Sequence, residues 1–105
     1  MANLLEAIPK GLPEELFEEV VSALGVTVER IMSRGHTSPD TGWYDQPRRE
    51  RVLVLKGQGV VAFENGESVR LGPGDHLTIP AHCRHRVKWT DPQQATAWLA
   101  VHYSA

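Results

Sequence analysis

Glu50 and His85 are the two side chains whose types and settings promise chemistry. Successive residues of a strand point to opposite faces, so Glu50 shares a face with Val52 and Val54 and enters an apolar interior. On a second strand His85, Val87 and Trp89 share one face, while Arg86 and Lys88 share the other. The basic pair belongs in water, which turns His85 inward. A buried carboxylate without a partner is costly, and it either shifts its pKa or acquires one. An imidazole can be that partner through a plain hydrogen bond, and a divalent metal can serve both groups.

The neighbourhood supplies further donors. Tyr44, Asp45 and Gln46 lie just before Glu50, across the turn at Pro47, and His82 lies three residues before His85. Carboxylate, imidazole and amide oxygen suit a divalent transition metal without selecting among Fe, Mn, Ni, Zn and Cu. The expected metal set is therefore Glu50, His85, Gln46, His82 and Asp45. The Tyr44 phenol is the candidate catalytic group, as base or hydrogen-bond donor. The blander account of each is also open: a hydrogen-bonded Glu50–His85 pair, and a His82 ring that caps the Pro80 turn. His76 reads as a surface residue and His102 as a core histidine or cavity wall. Nothing fixes His36 at the site. Cys83, directly after His82 and separated from His85 by one residue, has poor zinc spacing and reads as packing. Arg48 and Arg49 either solubilise a loop or guide an anionic ligand to the mouth.

The elements that hold these residues follow from periodicity. Val26–Met32, Arg51–Leu55, Val60–Phe63, Ser68–Leu71, His76–Ile79, Arg86–Trp89 and Ala95–Tyr103 read as short strands, with turn formers at 38–42 and a short extended piece at Trp43–Gln46. Glu64-Asn65-Gly66-Glu67 carries the Asn-Gly hairpin signal. Gly72-Pro73-Gly74-Asp75 is a second sharp turn. Residues 13–24 fit a helix, with Pro13 at its start, Glu14 and Glu15 at its positive end, and Gly25 as its stop. Leu16, Phe17, Val20, Val21 and Leu24 form its apolar stripe. The expected fold is all-β, an antiparallel barrel with one N-terminal α-helix, divided into a helical extension at 1–25 and a barrel domain at 26–105. Leu53 and Leu55 make the Glu50 strand apolar on both faces, and a second subunit is the cover expected for it, giving a homodimer.

Composition narrows the function classes. A chain of 105 residues builds one core, and 23% charged residues argue against disorder. A net charge of -2, with both signs interleaved, gives no footprint for nucleic acid. No apolar run approaches a membrane span, and residues 1–10 lack a secretory-signal pattern. The one cysteine fits a reducing compartment, so a cytoplasmic location is expected.

The chain resembles the cupin superfamily, in particular its small single-domain conserved-barrel members. The first motif of that family is G-x5-H-x-H-x3-4-E-x6-G, and Glu50 followed by Gly57 matches its second half. The second is G-x5-P-x-G-x2-H-x3-N, which Gly74, Pro80 and His85 match in register. His82 stands at the usual glycine and Trp89 at the usual asparagine. The resemblance covers roughly residues 35–103 and implies a jelly-roll-like barrel. It also implies a metal at Glu50 and His85, and a small polar substrate or ligand. The His-x-His pair is missing: its positions fall on Tyr44 and Gln46 with one spacing, and on Trp43 and Asp45 with the other. Some similar isomerases use a glutamine in such a site, which makes Gln46 a reasonable substitute. Two functions follow as expectations: a metal-binding barrel acting on a small polar molecule, or a metal-free ligand-binding barrel or sensor walled by Trp43, Tyr44 and Trp89.

Overall fold

The computed structural model describes residues 3–9, 11–38 and 42–104. Eight strands run β1 (Leu16–Ala23), β2 (Val26–Ser33), β3 (Arg49–Lys56), β4 (Gly59–Phe63), β5 (Ser68–Leu71), β6 (His76–Ile79), β7 (His85–Thr90) and β8 (Thr96–Tyr103). They form a five-stranded sheet in the order β1-β2-β8-β3-β6 and a three-stranded sheet in the order β5-β4-β7, with every pairing antiparallel. The seven strands expected from residue 26 onward are all present within a few residues. The Pro39-Asp40-Thr41 part of the expected turn at 38–42 lies outside the described residues.

The expected helix at 13–24 is instead strand β1. Leu16 lies opposite Met32 and Phe17 opposite Ile31, so these neighbours point to opposite faces of the sheet. A bulge between Glu19 and Val21 then resets the alternation, which puts Val21 opposite Val28. Two apolar pairs separated by two glutamates thus imitate a helical stripe. Gly25, at φ +79°, is the second residue of a tight hairpin turn and not a helix stop. Pairing along the whole length of β2 outweighs the weak propensity of one short isolated helix.

Turn chemistry fixes the register around the core. Gly66 adopts φ +97° while Asn65 does not adopt a positive φ. The Phe63 carbonyl accepts from Gly66 N–H at 3.0 Å, and Phe63 N–H donates to Glu67 at 2.8 Å. This is a three-residue loop with glycine in the left-handed position, and not the two-residue turn that Asn-Gly suggests. At the β3–β4 turn Gly57 has φ +87°, and a Cβ there would lie 2.4 Å from Thr96 Oγ1. Only glycine fits.

The inner faces of the two sheets meet at Val52, Val54, Val61, Leu71, Ile79 and Trp98. A second cluster, Met32, Ala95 and Ala97, lies on the outer side and is covered by Ile8, Leu12, Leu16 and Leu55. Arg30 ties the N-terminal segment across that side: it pairs with Glu18 and donates to the carbonyls of Leu4 at 3.1 Å and Glu6 at 2.8 Å. The expected covering of Leu55 thus comes partly from the chain itself. The free edge of β7 is closed by the segment before β3. Ser38 N–H donates to the Val87 carbonyl at 2.9 Å, Val87 N–H donates to Ser38 Oγ at 2.9 Å, and Tyr44 and His85 exchange backbone hydrogen bonds at 2.8 and 3.2 Å.

Candidate functional site

A cavity of about 210 Å³ opens between the sheets. Its floor is Val52, Val61, Ile79 and Trp98, and its polar groups include Glu50, His85, Gln46 and Tyr44. Phe17 and Tyr44, 54% and 44% exposed, stand at the mouth. Glu50 arrives from β3 opposite Ile79 on one side and His102 on the other. Side chains directly opposite on neighbouring strands share a face, so Glu50 and His102 enter the cavity together. His85 arrives from the first residue of β7, across from Glu50.

Glu50 is 8% exposed and His85 6%. His85 Nε2 lies 3.5 Å from Glu50 Oε1, and Gln46 Nε2 donates to that same oxygen at 3.4 Å. The other ring nitrogen is fixed: Nδ1 lies 2.8 Å from the Cys83 carbonyl, which can only accept, so Nδ1 carries a proton. Nε2 is thereby left facing Glu50. Burial pushes the His85 pKa down, but the Glu50 hydrogen bond, the Cys83 carbonyl and the Glu50 charge together carry it above the ordinary histidine value. His85 therefore binds its proton more tightly than a free imidazole does.

Four of the six expected site residues come together: Glu50, His85, Gln46 and Tyr44. Asp45 and His82 do not. Asp45 Oδ1 meets His82 Nδ1 at 2.9 Å on the outer surface, with Arg84 Nε 3.5 Å from Asp45 Oδ2. The His82 hydrogen bond is the main reason the Asp45 pKa is held below the usual carboxylate value, despite slight desolvation. The alternation explains the split. Tyr44 and Gln46 face the cavity and Asp45 lies between them, so the spacing that puts the family's two histidine positions on Tyr44 and Gln46 is the one this chain adopts. His82 occupies the motif's usual glycine position and has φ +59°, the left-handed conformation glycine favours. Its N–H donates to the Gln46 carbonyl at 2.7 Å, which holds that backbone while the ring points away.

Two tryptophans expected in the wall are outside it. A bulge in β7 puts Trp89 opposite Val60 and Val87 opposite Val61, so Trp89 leaves the inner face and packs under the Arg70 guanidinium, 4.9 Å from its ring. Trp43 packs against Arg86 at 4.7 Å. Trp98 lines the cavity in their place. Sequence reasoning left His102 open and missed its partner: His102 Nε2 lies 3.0 Å from Glu29 Oε1, and both line the cavity. Glu15 and Phe17 were also missed. The signal for Glu29 was alternation on the strand expected at Val26–Met32, and that for Phe17 was alternation on β1, legible only once β1 is read as a strand.

For a metal, the cavity offers one carboxylate, one imidazole and one amide, from Glu50, His85 and Gln46. Among the described residues no three His, Cys, Asp or Glu side chains converge as a metal-binding group. The set falls short of the three strong protein ligands usual even for an open site, and does not fit a resident metal of the usual kind.

The comparisons agree with this architecture. The model of the cupin domain family matches residues 31–102. A protein of Ralstonia eutropha JMP134, solved under the description "putative mannose-6-phosphate isomerase", is 43% identical, with a TM-score of 0.95 over 100% of this chain and 98% of that one. A cupin superfamily protein of Desulfitobacterium hafniense DCB-2 is 18% identical, with a TM-score of 0.76 over 93% of this chain and 84% of that one. A cupin of Methanocaldococcus jannaschii with a double-stranded β-helix fold is 15% identical, with a TM-score of 0.72 over 92% and 86% of the two chains. A search of the curated proteins gave no match. Among the described residues no helix is long and apolar enough to cross a membrane. With its family model spanning most of the barrel and its two motif halves meeting at one cavity, the chain belongs to the cupin family.

Proposed function

We propose that this protein binds a small molecule in the barrel cavity, seating its polar group against Glu50, His85 and Gln46, without need of a metal. The observation that carries this reading is the Glu50–His85 pair, each more than nine-tenths buried and 3.5 Å apart, in a cavity floored by Val52, Val61, Ile79 and Trp98. Tyr44 at the mouth adds a phenol that can donate to a bound molecule. The word isomerase in the description of the Ralstonia protein supports a catalytic version of the same reading. Moving a proton between neighbouring atoms of a substrate needs one acid and one base, and an imidazole beside a carboxylate, as at His85 and Glu50, offers both. The test is calorimetric titration of candidate ligands into protein stripped with EDTA. Binding that survives EDTA and is lost in Glu50→Gln and His85→Gln supports the reading, and binding that vanishes with the metal refutes it.

A divalent transition metal held by Glu50, His85 and Gln46 is the competing reading, favoured by one observation. The Nδ1–H of His85 is tied to a backbone carbonyl, the outer-shell arrangement typical of metal-ligating histidines. Elemental analysis of protein purified without chelator tests it: stoichiometric metal that Glu50→Gln abolishes would replace the first reading. A homodimer is the proposed assembly. The outer face of the five-stranded sheet carries Val21, Val26, Val28, Leu53, Leu99 and Val101, all exposed or half-buried, and contiguous apolar surface of this kind marks interfaces. Light scattering after size exclusion would read the mass directly.

A further inference from the structure

The cavity is acidic. Three carboxylates line it, Glu15, Glu29 and Glu50, together with the imidazoles of His85 and His102, and no lysine or arginine is among the lining residues. The carboxylates come from three separate parts of the chain: the segment before β1, strand β2 and strand β3. Of the guanidiniums near in sequence, Arg51 meets His76 Nδ1 at 2.8 Å and Arg30 holds Glu18 on the outer face, while Arg48 donates at 3.2 Å to Oγ1 of Thr27, which lies opposite His102, without being among the lining residues.

Among the described residues each carboxylate spends one oxygen within the protein and keeps the other. Glu15 Oε2 accepts from Ser33 Oγ, Glu29 Oε1 from His102, and Glu50 Oε1 makes the two long contacts to Gln46 and His85. Glu50 Oε2 has no partner among the described residues. No fully buried polar side-chain atom there lacks a hydrogen bond, so that oxygen is reached from the cavity. It is an acceptor on a buried residue that lines the cavity, open to whatever occupies the space.

We infer that the ligand of this cavity bears hydrogen-bond donors and no negative charge: an alcohol or an amine on a compact apolar body, and not a phosphate ester or a carboxylate. The inference rests on the cavity-binding reading above and specifies its ligand class. A phosphate would meet three carboxylates with two imidazoles and no lining lysine or arginine to offset them, against walls whose low polarity strengthens the repulsion. A hydroxyl or ammonium would complete the open oxygen of Glu50 while its apolar body rests on Val52, Ile79 and Trp98. The description of the Ralstonia protein names a sugar phosphate, and the lining of this cavity argues against carrying that substrate over.

Four probes test this on the full chain: benzyl alcohol, benzylamine, benzoate and mannose 6-phosphate, each titrated while amide resonances of Val52, Ile79 and Trp98 are followed by NMR. The alcohol and the amine are expected to shift those resonances and to bind at least about tenfold more tightly than either anion, consistent with unscreened charge repulsion in a partly closed site. Glu50→Gln, which keeps the shape, should narrow the gap between benzylamine and benzoate. Benzoate or mannose 6-phosphate binding as well as the alcohol or the amine would overturn the inference while leaving the cavity-binding reading standing. Silence from all four probes in folded protein would remove that reading, and the inference with it.

Discussion

Gly59 sets the position of Trp98, and adding one methyl group there should disturb both stability and site. A Cβ built at Gly59 lies 2.2 Å from Trp98 Cζ2 and 2.4 Å from Cη2. Carbon atoms pack at about 3.5–4.0 Å, so the indole or strand β4 must move by more than about 1 Å. Trp98 is 3% exposed and its sheet neighbours are packed, which leaves little room to yield. Overpacking of this kind costs about 1–3 kcal/mol. Alanine recovers roughly 0.5–1 kcal/mol over glycine in a strand, so the expected net loss for Gly59→Ala is about 1–2 kcal/mol. Each kcal/mol moves the Tm of a domain this size by roughly 4–8 °C, giving a drop on the order of 10 °C. Urea unfolding of Gly59→Ala, Trp98→Phe and the double variant would check it. The double variant should be less destabilised than the sum of the two by about 1 kcal/mol, because phenylalanine lacks the ring atoms that clash. Additive losses, or a Gly59→Ala loss under about 0.5 kcal/mol, would refute the reasoning.

The His85 pKa makes stability pH-dependent. It is raised in the folded state, so its contribution is complete below the unfolded value of about 6.5 and fades as pH climbs through the folded value. Unfolding free energy measured upward from about pH 6.5 should therefore show a declining component that His85→Gln removes, and an unchanged profile in that variant would contradict the assignment. NMR titration should find the His85 pKa lowered by Glu50→Gln, since burial then acts against fewer charge-stabilising contacts. His82→Gly should retain ligand binding and match or slightly exceed the parent in stability, because relief of a strained left-handed backbone offsets one exposed ion pair. Loss of ligand binding in that variant would return His82 to the site.

What the sequence made legible was set by how regular the chain is. Strands β3 to β8 could be read because alternation and turn glycines agree, and Glu50 and His85 followed from alternation alone. Two misreadings trace to a single extra residue each. The bulge near Val20 made β1 imitate a helix, and the bulge in β7 turned Trp89 from the wall to the surface. The Asp45–His82 pair failed differently: closeness in sequence to Glu50 and His85 suggested shared chemistry, but strand alternation and a left-handed residue turned both outward. Glu15, Glu29 and His102 belong to no motif, and their convergence depends on pairing β2 with β8 across more than seventy residues of chain.

The segment that closes the β7 edge also bears two of the residues facing the cavity. Tyr44 spends its backbone pairing with His85, and the Gln46 carbonyl accepts from His82, while both residues line the cavity. An open strand edge invites pairing with other chains, so this segment is at once a guard against aggregation and a wall of the cavity. New specificities can therefore arise here through exchanged side chains at 44 and 46, whereas an insertion or deletion between them would expose the edge. In a lineage that diversifies its ligands, these positions should vary in residue type and hold constant in spacing.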